Sequence, residues 1–351
     1  MNLLISSHDY GSALQNRAFL DYFLTHNSLA KVYLYFSDKC KPVYNDLENN
    51  YRIDFIQSDF FSKNRTNINF ALIGLSESQT SIDKISAQFA LGNKIPTGVI
   101  QDIWGNTGHF DQDNLPNFFF VIDETAKKLT LSKTTGKANC IITGSPKHAN
   151  YSKWARSTSE GERNNILFCL QPLCLPGVEE NFFYFLNFLS KIDHRSRLQV
   201  KLHPDDCGSV DNVLRWVNKF DQTAKIYTDS EIINLLGQAK LVVTCFSTVG
   251  IDHNYLNGFS RQPLGNLIYM SVGSDIRNHI SKQFGTDIIP GPTQGLGIVV
   301  TEKREGVIKL RRGIFDKKLA INYHQKCQEI CQYSLNSKKI INDNIQKYDI
   351  R

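Results

Sequence analysis

The stretch that most constrains the fold is Leu241–Ile251, which reads LVVTCFSTVGI. Its first half is almost continuously apolar and rich in β-branched residues, the pattern of a strand covered on both faces. Ser247 and Thr248 then stand where a helix would begin. Because strands buried on both faces occur in parallel sheets flanked by helices, this stretch predicts an α/β fold.

The turn in this stretch is also a candidate anion site. Hydroxyl side chains and unpaired backbone N–H groups at a helix start favour a bound phosphate. Asp252 follows one turn later, within reach of a ribose hydroxyl. A simpler interpretation is that Ser247 only caps the helix, and the residues themselves leave both interpretations open.

A second candidate strand, Leu198–Pro204, reads LQVKLHP. Its alternating pattern brings Lys201 and His203 to its C-terminal end, where Pro204 stops it. Ligands of open α/β sheets bind outside the C-terminal ends of the strands. We therefore expect His203 and the Ser247 turn to outline a pocket for a nucleotide monophosphate or diphosphate, with Lys201 as a weaker contributor.

Short apolar runs alternate with helical patterns along the whole chain, which predicts mostly parallel sheets with helices on both sides. The predicted strands are Asn2–Ser7, Lys31–Phe36, Arg52–Ser58, Asn69–Leu75, Thr97–Gln101, Asn117–Ile122, Cys140–Thr143, Asn165–Leu170, Leu198–Pro204, Lys225–Tyr227, Leu241–Phe246, Asn266–Tyr269 and Gly297–Val300.

A polar stretch after Gly144-Ser145-Pro146 predicts a crossing between two Rossmann-like domains, residues 1–150 and 151–351. The tail Phe315–Tyr348 is polar and helical, and it either packs back across both domains or frays.

Composition narrows the class of protein. With 351 residues and 41% hydrophobic content the chain can bury two cores. No apolar run reaches the length of a membrane span, and the N-terminus lacks the pattern of a signal peptide. The eight cysteines show no CxxC or zinc spacing, and Cys169, Cys174 and Cys245 lie in apolar surroundings, as expected of buried thiols in a reducing cytoplasm.

The net charge of +6 admits nucleic acid, an anionic membrane surface or an anionic small substrate as partner. No nucleic-acid recognition motif accompanies the charge, so nucleic acid is disfavoured. Peripheral contact with the inner membrane fits the basic clusters, although solvated lysines explain the same composition.

Two domains of this kind resemble the GT-B fold of glycosyltransferases, in which two Rossmann-like domains face each other across a cleft. KLHP at Lys201–Pro204 and the Ser247-Thr248 turn are similar to the His-Pro and Ser/Thr motifs of bacterial sialyltransferases, polysialyltransferases and other capsule-polymer transferases. The stretches Val121–His148 and Gly98–Trp104 also resemble sequences of this glycosyltransferase superfamily.

The resemblance implies roles for individual residues. In those families the His and the hydroxyls contact the phosphate of the donor, which implies this role for His203, Ser247 and Thr248. Asp252 matches the acidic residue that nucleotide-sugar epimerases of this fold place on the uridine ribose. The acidic, Gly-containing motif of the sialyltransferases has no counterpart in this chain, which leaves the catalytic base and the donor sugar open.

The implied function is a cytoplasmic glycosyltransferase without a cofactor. It moves a sugar from a CMP- or UDP-linked donor, held by the second domain, to a hydroxyl of a cell-surface glycan or lipid-linked acceptor, held by the first. The alternatives are a UDP-sugar epimerase or hydrolase of the same fold, and a non-catalytic nucleotide-binding subunit of polysaccharide assembly.

The transferase needs a base, and the candidates follow predicted strands of the first half. Asp102 is preferred over Asp9, Glu77 and Asp123, because its strand is the clearest and Trp104 beside it offers a ring for sugar stacking.

Gly11 and Ser12 lie in a tight first βα turn, where the backbone can approach the donor sugar or the acceptor, and His8 shares that turn. The spacing does not match GxGxxG, which disfavours a nicotinamide cofactor. Asp111-Gln112-Asp113 superficially matches the DxD of metal-dependent transferases, but it lies in a polar loop. With no cluster at metal-ligand spacing, we expect no metal at the site.

Overall fold

The computed structural model describes residues 1–63, 68–76, 78, 80–157, 163–203, 210–228 and 231–349. Glu77 and Pro204, both named in the sequence analysis, lie outside these residues. The chain divides into two compact units. The first comprises Met1–Asn150 with Gln332–Arg351, and the second comprises Tyr151–Cys331.

Every strand pairing in the described residues is parallel. The strands are β1 Asn2–Ser7, β2 Lys31–Phe36, β3 Ile53–Phe55, β4 Phe70–Ile73, β5 Thr97–Ile100, β6 Phe118–Val121, β7 Cys140–Ile142, β8 Asn165–Cys169, β9 Arg197–Lys201, β10 Lys225–Tyr227, β11 Ala239–Thr244, β12 Asn266–Met270 and β13 Ile298–Val300.

The helices connect these strands and extend the C-terminal tail. They are α1 Tyr10–His26, α2 Lys41–Tyr44, α3 Phe60–Lys63, α4 Ile82–Gly92, α5 Glu124–Lys133, α6 Pro146–Ala149, α7 Tyr151–Ser157, α8 Val178–Leu189, α9 Val210–Asn218, α10 Ile232–Gln238, α11 Val249–Phe259, α12 Ser274–Phe284, α13 Pro290–Thr293, α14 Lys303–Phe315, α15 Lys317–Leu335 and α16 Ser337–Ile345.

Both sheets have the strand order of a Rossmann-like domain. The first unit has the order β3-β2-β1-β4-β5-β6-β7, and the second has β10-β9-β8-β11-β12-β13. The direction of winding reverses between β1 and β4 in the first unit and between β8 and β11 in the second. Ligands of such folds bind at the carboxyl ends of the strands at this switch point. The predicted fold class, two Rossmann-like domains with a helical tail, is confirmed.

The last helix belongs to the core of the first unit. Ile341 and Ile345 of α16 are fully buried in the same cluster as the residues of β1. Tyr348 places its ring 5.6 Å from Phe70 on β4, measured between ring centres. The amino group of Met1 lies 3.3 Å from the Asp349 carboxylate. The end of the chain therefore completes the first unit.

Aromatic packing explains a glycine inside β5. A Cβ at Gly98 would lie 3.0 Å from the rings of both Phe70 and Phe120, so a larger residue would require these rings to shift. Phe118–Phe120, in the predicted strand Asn117–Ile122, is buried in the core.

Two sequence expectations are corrected. Cys174 is exposed, whereas Cys169 and Cys245 are buried, and the seven cysteines of the described residues are free thiols. Helix α12 lies between the predicted strands Asn266–Tyr269 and Gly297–Val300, where no helix was expected, and α14 precedes the predicted tail in a stretch for which no element was predicted. Within the described part of the chain, no helix combines the length and the apolarity needed to cross a bilayer.

Candidate functional site

The carboxyl edge of the second sheet brings together the ends of β8, β9 and β11. His203 follows β9 by two residues and is half-buried. The strand β8 lies between β9 and β11, so the two motif-bearing strands are not direct neighbours. Two interstrand spacings separate them, about 10 Å, which a diphosphate with its nucleoside can span.

The hydroxyl turn begins α11 at this switch point. The backbone N–H of Val249 donates to Ser247 Oγ at 3.2 Å, a local bond across the turn, and Ser247 precedes the N-cap position. Thr248 is the N-cap residue, makes no side-chain capping bond and is exposed. An 11-residue helix therefore points its positive end at the carboxyl edge, with the Thr248 hydroxyl beside it.

Lys201 directs its ammonium group at the protein. Its Nζ donates to the carbonyl oxygen of Leu202 at 2.9 Å and to that of Thr228 at 2.6 Å. These bonds secure the end of β9 beside β10. A donor-phosphate role for Lys201 stays a prediction.

Asp252 is buried, with 4% of its surface exposed, and accepts a hydrogen bond from Tyr151 Oη at 2.9 Å. Burial and the neighbouring Asp252 carboxylate raise the pKa of Tyr151 well above its ordinary value, so the phenol stays protonated and donates. This contact joins α7 to α11. The predicted ribose contact of Asp252 is untested, and a ribose would have to share the carboxylate with Tyr151.

Gln171 is a residue of this edge that sequence reasoning missed. Its Oε1 accepts from the backbone N–H of Phe246 at 2.8 Å, and Thr244 Oγ1 donates to the carbonyl of Cys169 at 3.0 Å. The two bonds join the ends of β8 and β11 and hold the approach to the hydroxyl turn. A polar residue directly after a buried strand was the available signal.

In the first unit, the structure brings Asp102 and Gly11 together. Gly11 and Ser12 lie in the first turn of α1 and not in the βα turn that the sequence analysis predicts for them. A Cβ on Gly11 would lie 3.1 Å from Asp102 Oδ2, so the start of α1 lies against this carboxylate. Loss of hydration raises the pKa of Asp102, and the negative charge of Asp9 raises it further, while Asn106 and Lys147 oppose the shift. Asp102 as the base of the reaction stays a prediction.

The other candidates have structural partners. Asp123 accepts from the backbone N–H of Ala126 as the N-cap of α5, and from Trp104 Nε1 at 2.8 Å. Trp104 is 2% exposed, so the expectation that its ring stacks on a sugar is wrong. Ser12 is buried and donates to the carbonyl of Asp9 at 2.9 Å, within its own turn.

Asp83 is a carboxyl group that the sequence analysis did not single out. It is fully buried in the first turn of α4 and accepts from Ser6 Oγ at 3.1 Å and from the backbone N–H groups of Ser76 and His8 at 3.2 and 3.3 Å. It thus ties together the segments that follow β1 and β4. Burial raises the pKa of Asp83 to about 6, although its three hydrogen bonds lower it.

Two imidazoles lie beside the start of α4. The backbone N–H of Ile82 lies 3.4 Å from His8 Nδ1, which makes this nitrogen the acceptor and leaves the proton of the neutral ring on Nε2. Ser81 Oγ caps α4 and lies 2.8 Å from His109 Nε2. Acidic and hydroxyl residues at a helix start look like ordinary caps in sequence, which is why this cluster was missed.

Asp111 forms a turn, as the sequence analysis expects. Its Oδ1 accepts from the backbone N–H groups of Asp113 and Asn114, and these residues are exposed. Among the described residues, no three His, Cys, Asp or Glu side chains are grouped as metal ligands.

The fold class is shared with nucleotide-sugar enzymes. No protein-family model matches the chain, and no curated protein matches its sequence. A UDP complex of MnaA from S. aureus is 12% identical with a TM-score of 0.67, covering 99% of this chain and 96% of that one.

Two further solved structures show the same similarity. UDP-GlcNAc 2-epimerase from Neisseria meningitidis, bound to UDP-GlcNAc, is 13% identical with a TM-score of 0.64, covering 99% of this chain and 100% of that one. A UDP-glucosyltransferase from Polygonum tinctorium that glucosylates indoxyl is 10% identical with a TM-score of 0.60, covering 100% of this chain and 99% of that one. At these identities the similarity shows the fold, and it does not decide between the reactions.

Proposed function

We propose that this chain is a glycosyltransferase that moves a sugar from a CMP- or UDP-linked donor to a hydroxyl acceptor. The observation that carries the proposal is the switch point of the second unit, where the start of α11 with its exposed Thr248 lies two strands from His203. A helix N-terminus stabilises a phosphate, and the structurally similar proteins include complexes with UDP and UDP-GlcNAc.

In this mechanism the leaving nucleotide phosphate gains negative charge in the transition state. Fixed donors at that phosphate then contribute most to the rate, because they bind the transition state more strongly than the substrate. Protonated His203 supplies charge or a proton, and Ser247 and Thr248 with the helix N-terminus supply oriented donors. Asp102 takes the proton of the acceptor hydroxyl.

A UDP-sugar epimerase is the second candidate. It is favoured by the similarity to UDP-GlcNAc 2-epimerase and by the acidic residue Asp252 in the first turn of α11. An epimerase converts the sugar nucleotide without an acceptor, whereas a transferase releases its nucleotide in proportion to the acceptor supplied.

The deciding experiment measures nucleotide release and sugar-nucleotide isomers from CMP- and UDP-sugars, with and without glycan acceptors. We expect acceptor-dependent release, reduced roughly a hundredfold or more in Asp102→Asn. Asp113→Asn, in the exposed turn, is the matched control and should retain activity. If an isomer of the sugar nucleotide forms without acceptor, the chain is an epimerase and the transferase proposal is wrong. Nucleotide binding with no turnover of any kind would indicate a non-catalytic subunit.

A further inference from the structure

The amino-terminal edge of the second sheet is basic. In a sheet built from βα units, strand starts and helix ends gather at one edge, opposite the carboxyl ends that hold ligands. Lys225 and Arg197 begin β10 and β9, and Lys240 is the second residue of β11. The starts of β10, β9 and β11 thus present positive charge at the edge remote from the hydroxyl turn.

Side-chain contacts place the end of α14 at this same edge. Asn266 Nδ2, at the start of β12, donates to the carbonyl of Gly313 at 2.9 Å. Lys240 Nζ lies 5.2 Å from the centre of the Phe315 ring, which is 48% exposed. An aromatic side chain therefore stands among the basic residues.

A cavity of about 420 Å³ opens at this edge, between the end of α8, the start of β9 and the connection after α9. Its apolar wall includes Leu189 and Leu198, and its rim includes Arg195 and Arg197, both exposed. Phe220, 44% exposed, stands at the same mouth. The mouth of the cavity thus carries two guanidinium groups and an exposed phenyl ring, with Asp221 also in its lining.

Acidic residues nearby offset only part of this charge. Asp221 Oδ1 accepts from the backbone N–H and the hydroxyl of Thr223, and Asp316 lies 3.6 Å from Arg312. Asp193 is exposed. Against these, the exposed basic side chains of the edge include Lys191, Arg195, Arg197, Lys219, Lys225 and Lys317.

We propose that this edge docks on an anionic phospholipid bilayer. Clustered basic residues are attracted to an anionic leaflet, and exposed phenylalanines add apolar contact at the headgroup level. The two edges of one sheet are opposite each other, so docking leaves the carboxyl edge of the second unit open to solvent. The proposal does not depend on which reaction the chain catalyses.

The test is co-sedimentation of the full chain with vesicles of phosphatidylcholine alone or mixed equally with phosphatidylglycerol. Wild type should bind the anionic vesicles preferentially, and added salt should weaken the binding. The double variant Arg195→Glu with Arg197→Glu should bind more than about tenfold more weakly. Phe220→Ser should weaken binding and leave its salt dependence unchanged.

The matched control is Lys303→Glu with Arg304→Glu, which changes the net charge equally at the start of α14, after the carboxyl end of β13. This control should bind within about twofold of wild type if the effect is local to the amino edge. Equal binding to neutral and anionic vesicles, or equal loss in both double variants, would overturn the proposal. So would displacement from vesicles by millimolar glycerol phosphate, because that result would indicate a site for a small soluble anion.

Discussion

At the scale of single residues, His203 is the side chain whose role is most sharply testable. We expect His203→Ala to lower nucleotide release roughly a hundredfold, because a donor aimed at the leaving phosphate acts mainly in the transition state. His194→Ala is the matched control, since it removes the same side chain at the opposite edge of the same unit. The measurements are the turnover rate and the urea unfolding of both variants. Wild-type-like turnover by His203→Ala would show that His203 does not act in the reaction.

The second prediction at this scale concerns Asp83. Its pKa is about 6 in the folded protein against an ordinary 3.8, so the folded state binds the proton more tightly than the unfolded state. Protonated Asp83 therefore adds to the free energy of unfolding in full below about pH 4, and this stabilisation is lost as the pH rises through about 6. A pKa shift of about two units corresponds to about 3 kcal/mol in the free energy of unfolding.

Asp83→Asn cannot titrate, so the stability of wild type relative to this variant should increase by up to about 3 kcal/mol between about pH 8 and about pH 4. Urea unfolding across this range measures the difference. A difference that stays constant with pH would show that folding leaves the pKa of Asp83 unchanged.

At the scale of elements, the packing of α16 predicts a large effect from a residue near the end of the chain. Ile341→Ala should lower the free energy of unfolding by about 2–5 kcal/mol, because it opens a cavity in a fully buried cluster. Ile308→Ala, on a side chain that is 64% exposed, should change it by less than about 0.5 kcal/mol. Equal effects in denaturant unfolding would mean that α16 is not part of the cooperative core.

Strands were the elements most accessible from sequence. Each predicted strand overlaps an observed one, since a strand buried on both faces, such as β1 or β11, needs a continuous apolar run. The bounds differ most for β3 and for β9, which ends at Lys201 before His203. Helices α12 and α14 were missed because their sequences are mostly polar with a narrow buried stripe: Ile276, Ile280 and Phe284 in α12, and Leu310 and Ile314 in α14. The order of the strands in each sheet could not be predicted from the sequence, because it depends on contacts between segments that are distant along the chain.

The site was predictable only in part, for a related reason. Exposed or half-buried residues after a strand, such as His203 and Asp102, are visible as departures from an apolar pattern. Asp83 could not be recognised in this way, because what distinguishes it is its burial and its hydrogen bonds with Ser6 and His8, which are far away in the sequence. The burial of Trp104 against Asp123 was equally hidden, since sequence alone does not tell an indole in a core from one on a surface.

At the scale of the whole molecule, the proposed function predicts stabilisation by one class of nucleotide. A ligand that binds only the folded state at a hundred times its Kd adds about 2.7 kcal/mol. Thermal melting with CMP, CDP, UDP and GDP should therefore single out the base of the donor. The double variant Ser247→Ala with Thr248→Ala should lose most of the shift, while His194→Ala should keep it. A shift of equal size in the double variant would place the phosphate elsewhere.

The assignment of Gln332–Arg351 to the first unit also has a consequence for synthesis on the ribosome. Residues 151–331 are made after most of the first unit and before the helix that completes its core. At about 5–20 residues per second, this interval lasts roughly 10 to 40 s. During that time the apolar face that α16 will cover has no native partner, while every strand of the second unit emerges. The core of the first unit therefore stays incomplete in the nascent chain until the second unit has been synthesised.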